Sequence, residues 1–131
     1  MAELGNNAKA GLVTALNGAL ADTVALYFKT KNFHWHVAGP RFRDLHLLFD
    51  EQAAQLIGTV DDIAERVRKN DEYTLTSIGT VAAETKIKDQ DDVTITADAM
   101  VVELRDDNRK LHGRLETVKE EAEAVGDNAT S

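Results

Sequence analysis

The 131-residue chain contains no cysteine, and this absence excludes disulfides and thiolate metal sites. It contains a single proline, and its apolar residues recur at helical intervals, so the composition favours an all-α globular protein over a disordered one. We find neither a signal peptide nor an apolar run long enough to span a membrane, and expect a cytoplasmic protein. Imidazole and carboxylate groups are the strong metal ligands that remain.

Positive charge is also scarce, since the formal net charge is −8 at pH 7. Such a chain repels nucleic-acid phosphates at long range, and DNA binding would require a local basic patch. We find no such patch, because the first ten residues hold only Lys9 as a base. Other basic residues are interpreted as ordinary helix-surface charges: Lys29, Lys31, Arg66, Arg68 and Lys69. The acidic composition suits cations better than DNA.

Apolar periodicity predicts three long helices in one domain, residues 1–131. Helix A is expected over about 7–37, helix B over about 41–69, a crossover over about 70–94 and helix C over about 96–125. Gly39 and Pro40 separate A from B, which predicts an antiparallel hairpin. The predicted core positions are Leu12, Leu16, Leu20, Val24, Tyr27 and Phe28 in A, Phe42, Leu45, Phe49, Leu56, Val60, Ile63 and Val67 in B, and Met100, Val101, Leu104, Leu111, Leu115, Val118, Ala122 and Val125 in C.

Two histidines and three carboxylates recur at helical spacings between Lys31 and Arg66. They are His34, then His46 and Asp50 at i and i+4, then Asp61 and Glu65 at the same spacing. The four on helix B fall within an arc of about 100°, interleaved with its apolar face, where a carboxylate is costly without a cation. Two interpretations stay open: metal ligands, or ion pairs with Arg43, Arg66 and Lys69 in a purely structural helical bundle.

Helix length divides the five residues into two groups. Along an α-helix, His46 lies about 22 Å from Asp61, and Asp50 about 16 Å from it. His34 comes level with His46 if helices A and B are antiparallel. One half-site therefore contains His34, His46 and Asp50, and the other contains Asp61 and Glu65.

A two-fold axis with antiparallel B helices would join each half-site to the complementary half-site of a second copy, giving two identical intersubunit sites. Imidazole together with carboxylate suits Fe(II), Mn(II) or Zn(II) better than calcium or magnesium. So few strong ligands leave open positions for water or an oxidant, as a catalytic metal requires.

Three segments resemble the signature of the Dps family, the miniferritins: residues 34–39, residues 42–50 and residues 61–66. The resemblance implies a ferritin-like four-helix bundle subunit in a hollow homododecamer. It further implies a ferroxidase that binds Fe(II) at dimer interfaces, oxidises it preferably with hydrogen peroxide, and stores the ferric mineral inside the shell. Dioxygen is the alternative oxidant, and zinc or manganese could replace iron. Such a protein protects the cell from oxidative damage.

The family's ligand positions match His34, His46 and Asp50 of one subunit with Asp61 and Glu65 of the two-fold partner. This assignment of ligands to two subunits agrees with the two half-sites that the length of helix B requires. Trp35 matches an aromatic residue beside the iron site that traps oxidising equivalents; a core aromatic is the alternative interpretation. Arg66 matches a position that we interpret as an ion-pair partner of a ligand carboxylate.

The chain departs from the family pattern in two places. Members that bind DNA generally do so through a lysine-rich terminal tail, which this N-terminus lacks; a DNA-compacting nucleoid protein and a non-catalytic helical assembly module are therefore alternatives only. Members also carry a fourth helix after the segment that matches residues 126–130. Asp127 or Thr130 could cap such a helix, but we expect the helix itself to be missing. The apolar stripes of helices A and C would then lack a partner.

Overall fold

The computed structural model describes residues 2–126 of the chain. Its element order is α1 Ala2–His36, α2 Phe42–Lys69, α3 Ile78–Glu84 and α4 Ala97–Val125, and these described residues contain no strand. α1 begins before the predicted residue 7, because a helix interior tolerates Gly5 at a cost of about 1 kcal/mol relative to alanine. The proposed caps Asp127 and Thr130 lie outside the described residues.

α1 is the central helix and packs against both α2 and α4. Four of its leucines are buried, Leu12, Leu16, Leu20 and Leu26, and Leu12 and Leu26 are fully inaccessible to solvent. α2 and α4 themselves make almost no direct contact within the described residues, so an open groove runs between them. Leu48 of α2 and Leu115 of α4 remain partly exposed along this groove. The expected uncovered apolar surface is therefore found on α4 and also on α2, whereas most apolar side chains of α1 between residues 7 and 36 are buried or partly buried.

The core consists of two clusters at opposite ends of α1. The cluster near the α1–α2 turn contains Leu26, Phe33, Val37, Leu45, Phe49, Ile87, Met100, Leu104 and Leu111. The other contains Leu12, Ala15, Leu16, Ala19, Val67, Val118 and Ala122. Four predicted core residues are substantially exposed instead: Phe28, Phe42, Val101 and Leu115. They lie at the margins of the apolar stripes, where periodicity alone does not separate buried from exposed positions.

α1 between Asn7 and His36 is long and apolar enough to cross a membrane by length and composition. The expectation that no segment meets this criterion was wrong. More than half of the apolar window is buried against the rest of the chain, and the central helix of a packed bundle satisfies the same criterion.

Two lysines of α1 that we expected on the surface form ion pairs. Lys29 is buried, with its Nζ 2.7 Å from Asp107 Oδ2 and 3.1 Å from Glu103 Oε1. Lys31 pairs with Asp50 of α2. Burial of a charge is tolerated only when a counter-charge accompanies it, so the Lys29 pair attaches α4 to the C-terminal third of α1.

A second polar cluster fixes the crossover to α1. Asp22 is fully buried, and its Oδ1 accepts hydrogen bonds of 2.7 Å from Thr85 Oγ1 and from the Lys86 backbone N–H. The Arg114 Nε lies 3.2 Å from the other carboxylate oxygen. Gly18 provides the space for Arg114, because a Cβ at Gly18 would overlap its guanidinium. The segment after α3 is thereby held between α1 and α4.

Candidate metal centre

A tight turn brings the end of α1 beside the start of α2. The Phe42 N–H donates to the Gly39 carbonyl over 3.1 Å, and Gly39 has φ +104°, a conformation that side-chain-bearing residues rarely adopt. The two helices therefore reverse direction within a few residues. His34, before the turn, and His46, after it, come level with each other.

The imidazole rings of His34 and His46 stack, with centroids 3.8 Å apart and planes 17° from parallel. His34 Nδ1 lies 2.5 Å from the His46 carbonyl oxygen, and His46 Nδ1 lies 2.7 Å from the His34 carbonyl oxygen. A carbonyl only accepts, so each Nδ1 carries a proton, and Nε2 is the ring nitrogen that is left for a metal ion. This reciprocal arrangement orients both rings as metal ligands, in the way that outer hydrogen bonds usually do.

Asp50 completes the first group of ligands. Its Oδ1 lies 3.9 Å from His34 Nε2, a separation that a metal ion about 2 Å from each atom can bridge. Lys31 Nζ donates a hydrogen bond of 2.8 Å to the same oxygen. This hydrogen bond, with the Lys31 charge and the two nearby imidazoles, lowers the pKa of Asp50 below its ordinary value. Asp50 is therefore a carboxylate, the form that binds a metal.

Aromatic rings surround this group, which we call the imidazole half-site (His34, His46 and Asp50). The Phe42 ring stacks on the outer face of His46 with centroids 5.0 Å apart, and the core pair of Phe33 and Phe49 lies beside it along the two helices. The His46 ring is thus packed on both faces, by His34 and by Phe42. The carboxylate of Asp50 remains about half exposed and open to an incoming ion.

Trp35 lies on the outer surface of α1, and its side chain is 54% exposed. It makes an edge-to-face contact with Phe28 at 6.0 Å, and Lys31 Nζ lies 5.8 Å from its ring centroid. The interpretation of Trp35 as a core aromatic is wrong for this chain. An exposed indole next to the imidazole half-site is available to a bound ion or to a second subunit.

Asp61 and Glu65, the carboxylate half-site, occupy the other half of α2. Both are exposed, and within residues 7–126 neither forms an ion pair. The described part of the chain holds no group of three or more histidine or acidic side chains close enough to bind a metal ion. The structure thus stacks His34 on His46 and places Asp50 beside His34, but within the described residues these three do not form a complete metal site, and Asp61 and Glu65 lie apart from them.

The alternative ion pairs with arginine and lysine are not formed among the described residues. Arg43, Arg66 and Lys69 make no ion pair there, so Arg66 does not act as a partner of a ligand carboxylate within one chain. Lys31 pairs with Asp50 instead. Lys31 and His34 are spaced i, i+3 and therefore lie on one face of α1. This spacing is the feature of the sequence that indicates Lys31 as a neighbour of the half-site.

The family model of the ferritin-like domain matches residues 13–131. An uncharacterized low temperature-induced protein from Nostoc sp. is 38% identical over 101 residues, which is 77% of this chain and 56% of that protein. The chain thus spans little more than half the length of this relative. A DNA protection during starvation protein from Brevibacillus brevis is 34% identical over 88% of this chain and 77% of its own length.

Solved structures have the same arrangement of helices. A Dps protein from Vibrio cholerae, described as a member of a broad superfamily of ferritin-like diiron-carboxylate proteins, superposes with a TM-score of 0.89. It is 28% identical, and the match covers 95% of this chain and 78% of that one. Both the sequence and the backbone are therefore similar to the same group of proteins.

Proposed function

Because the chain belongs to the Dps family of ferritin-like proteins, we propose that it oxidises Fe(II), preferably with hydrogen peroxide, and stores the ferric mineral. Fe(II) is its substrate, with zinc or manganese as alternative ions, and the working form is a cytoplasmic homododecamer that limits oxidative damage. The observation that carries this proposal is the imidazole half-site, in which reciprocal hydrogen bonds orient the rings of His34 and His46 and the His34 Nε2 lies 3.9 Å from the Asp50 carboxylate.

The reduction of one hydrogen peroxide molecule requires two electrons, and each Fe(II) ion supplies only one. Two Fe(II) ions together supply the two electrons that reduce one hydrogen peroxide to two hydroxide ions, whereas a single Fe(II) would release a hydroxyl radical. Binding the ions at a shared site favours the first route over the second. Trp35 follows the ligand His34 directly in α1, and its ring lies 5.8 Å from Lys31 Nζ; we assign it the accessory role of accepting a stray oxidising equivalent.

The two half-sites fit a dimer with one particular register. If α2 of one subunit lies antiparallel to α2 of its partner, pairing Asp50 with the opposite Asp61 places the two-fold axis between Gln55 and Leu56. Pairing His46 with the opposite Glu65 gives the same axis. One packing of two copies therefore completes both sites at once.

The surface of α2 around this axis has the character of a contact between two helices. Ala54 and Gly58 are exposed, and an added Cβ at Gly58 would meet no atom within 4 Å. Ile57 and Leu47, on the same side, are 43% and 50% exposed. Small residues beside exposed apolar ones allow close approach and bury apolar area, as a subunit interface requires.

A mixing experiment tests the shared site. Asp50→Ala removes a ligand from the imidazole half-site, and Glu65→Ala removes one from the carboxylate half-site. We expect either variant alone to oxidise Fe(II) about 100-fold more slowly than wild type, because losing a ligand costs at least as much as losing an outer partner. Ferric absorbance after anaerobic addition of Fe(II) and then peroxide measures the rate.

Co-refolding the two variants restores one intact site in each mixed dimer, so about one quarter of the wild-type activity returns on random pairing. The Asp50→Ala, Glu65→Ala double variant is the matched control, since mixing it with wild type creates no new intact site. A double variant as fast as wild type would refute the proposed function. Slow oxidation by both single variants with no gain on mixing would refute the sharing of the site.

A chemical cross-link tests the register separately. The chain has no cysteine, so Ala54→Cys introduces a single thiol close to the proposed axis. A short bis-maleimide reagent is expected to link two such subunits into a covalent dimer. Lys110→Cys, on the exposed surface of α4, is the control and is expected to give little dimer. Equal yields from both positions would contradict this packing of α2.

A further inference from the structure

One oxygen of the imidazole half-site has two competing partners. Asp50 Oδ1 is the carboxylate oxygen that lies 3.9 Å from His34 Nε2, and Lys31 Nζ already binds it at 2.8 Å. The Lys31 side chain is only 22% exposed, so its ammonium is held in place and not free in solution. The position that a metal ion needs is thus next to a resident positive charge.

We propose that Lys31 is the resident counter-ion of this half-site: it holds Asp50 in the metal-free subunit, and an entering divalent ion must displace it from Oδ1. This inference rests on the proposed function, because it concerns the same ligands. Lys31 is a positioning residue in this role and not a catalytic one. Its effect is to weaken the affinity of the site for its substrate ion.

The geometry requires this competition. A metal ion bound to both Oδ1 and Nε2 lies about 2 Å from each, and so within about 5 Å of Lys31 Nζ where the structure places it. A divalent cation and an ammonium group at that distance repel each other strongly in a partly desolvated site. The metal therefore either moves the ammonium away or binds less tightly.

The displaced ammonium has a second position available. The Trp35 ring centroid lies 5.8 Å from Lys31 Nζ, and the face of an indole attracts a cation at about this range. The four-carbon stem of lysine is flexible enough to move the charge from Asp50 toward this ring. Lys31 Nζ thus already lies near the indole while it binds Asp50, and the entering metal ion shifts it further toward the ring and away from the carboxylate.

Zinc binding provides a test that needs no turnover. Isothermal titration of the metal-free assembled protein with Zn(II), a redox-inert probe, is compared among wild type, Lys31→Gln and Lys31→Arg. We expect Lys31→Gln to bind zinc about tenfold tighter, because the repulsion is gone, and Lys31→Arg to stay near wild type. Lys110→Gln changes the net charge equally from the exposed surface of α4 and is expected to leave the affinity unchanged.

The outcomes distinguish this inference from the proposed function. Unchanged or weaker zinc binding by Lys31→Gln, with tight binding by wild type, refutes the role of Lys31 alone. Failure of both wild type and Lys31→Gln to bind zinc refutes both. Lys31→Met, which keeps the apolar stem, is the second variant if Lys31→Gln does not assemble, and the same tenfold gain is expected. A merely structural lysine would instead lower the affinity when removed.

Discussion

The two ends of α2 carry the two halves of the proposed metal centre, and they differ in how the chain holds them. Near its start, His46 is fixed between two aromatic planes and by a hydrogen bond to α1. Near its end, Asp61 and Glu65 are exposed and unpaired within the described residues. A single subunit thus orients the imidazoles before any metal ion binds. Asp61 and Glu65, in contrast, need a second subunit to become part of a complete site.

This difference has a physical reason. The two imidazole rings stack and each donates to a backbone carbonyl, so they are assembled before a metal arrives. Three carboxylates placed together without a cation would repel each other and lose hydration. Separating Asp50 from Asp61 along one helix keeps these charges apart until dimerisation, and the one carboxylate beside the imidazoles is matched by Lys31.

The largest loss of stability is expected when a core side chain beneath the imidazole half-site is truncated. Phe49 is 1% exposed and precedes Asp50 directly in α2. Phe49→Ala is expected to lower the free energy of unfolding by about 3–5 kcal/mol, because it leaves a cavity between α1 and α2. Urea denaturation of the metal-free protein measures this loss. Leu48→Ala, at a partly exposed neighbour, is the control, and an equal loss there would contradict a tightly packed core under this half-site.

A smaller loss is expected when one imidazole is removed. His46→Ala deletes the stacking contacts with His34 and Phe42 and the hydrogen bond to the His34 carbonyl. We expect a loss of about 2 kcal/mol in the metal-free protein, measured by urea denaturation. His112→Ala on α4 is the matched control, because that side chain is 75% exposed, and it is expected to change stability by less than about 0.5 kcal/mol. Equal effects would mean that the imidazole half-site is not prearranged.

The sequence predicts the helices and the separation of the two half-sites well. It does not predict which charged side chains pair with each other. Apolar periodicity locates the long helices, and the all-α, ferritin-like bundle is confirmed by the structure and the comparisons. The rise per residue separates Asp50 from Asp61 without any tertiary information. In contrast, the pairs of Lys29 with Asp107 and of Lys31 with Asp50 depend on how α1 faces its neighbours, which periodicity does not determine.

The turn that aligns the two histidines is expected to contribute less than the rings themselves. Gly39→Ala places a side chain at φ +104° and is expected to cost about 1 kcal/mol. Gly113→Ala is the control and is expected to raise stability instead of lowering it. Gly113 lies inside α4 with open space around it, so alanine there stabilises the helix by about 0.5–1 kcal/mol. Thermal unfolding of both variants compares the two positions. A stabilising Gly39→Ala would show that the turn does not depend on this backbone conformation.

The smallest effect on stability is expected at the carboxylate half-site. Asp61 is exposed and forms no ion pair within residues 7–126, so Asp61→Asn should change the free energy of unfolding of the metal-free protein by less than about 0.5 kcal/mol. Zinc binding should nevertheless weaken, because the amide removes a charged ligand that the partner subunit needs. Titration and urea denaturation of the same preparation separate the two effects. A destabilised variant with unchanged zinc affinity would reverse the roles of the two ends of α2, because the carboxylate would then serve the fold and not the ion.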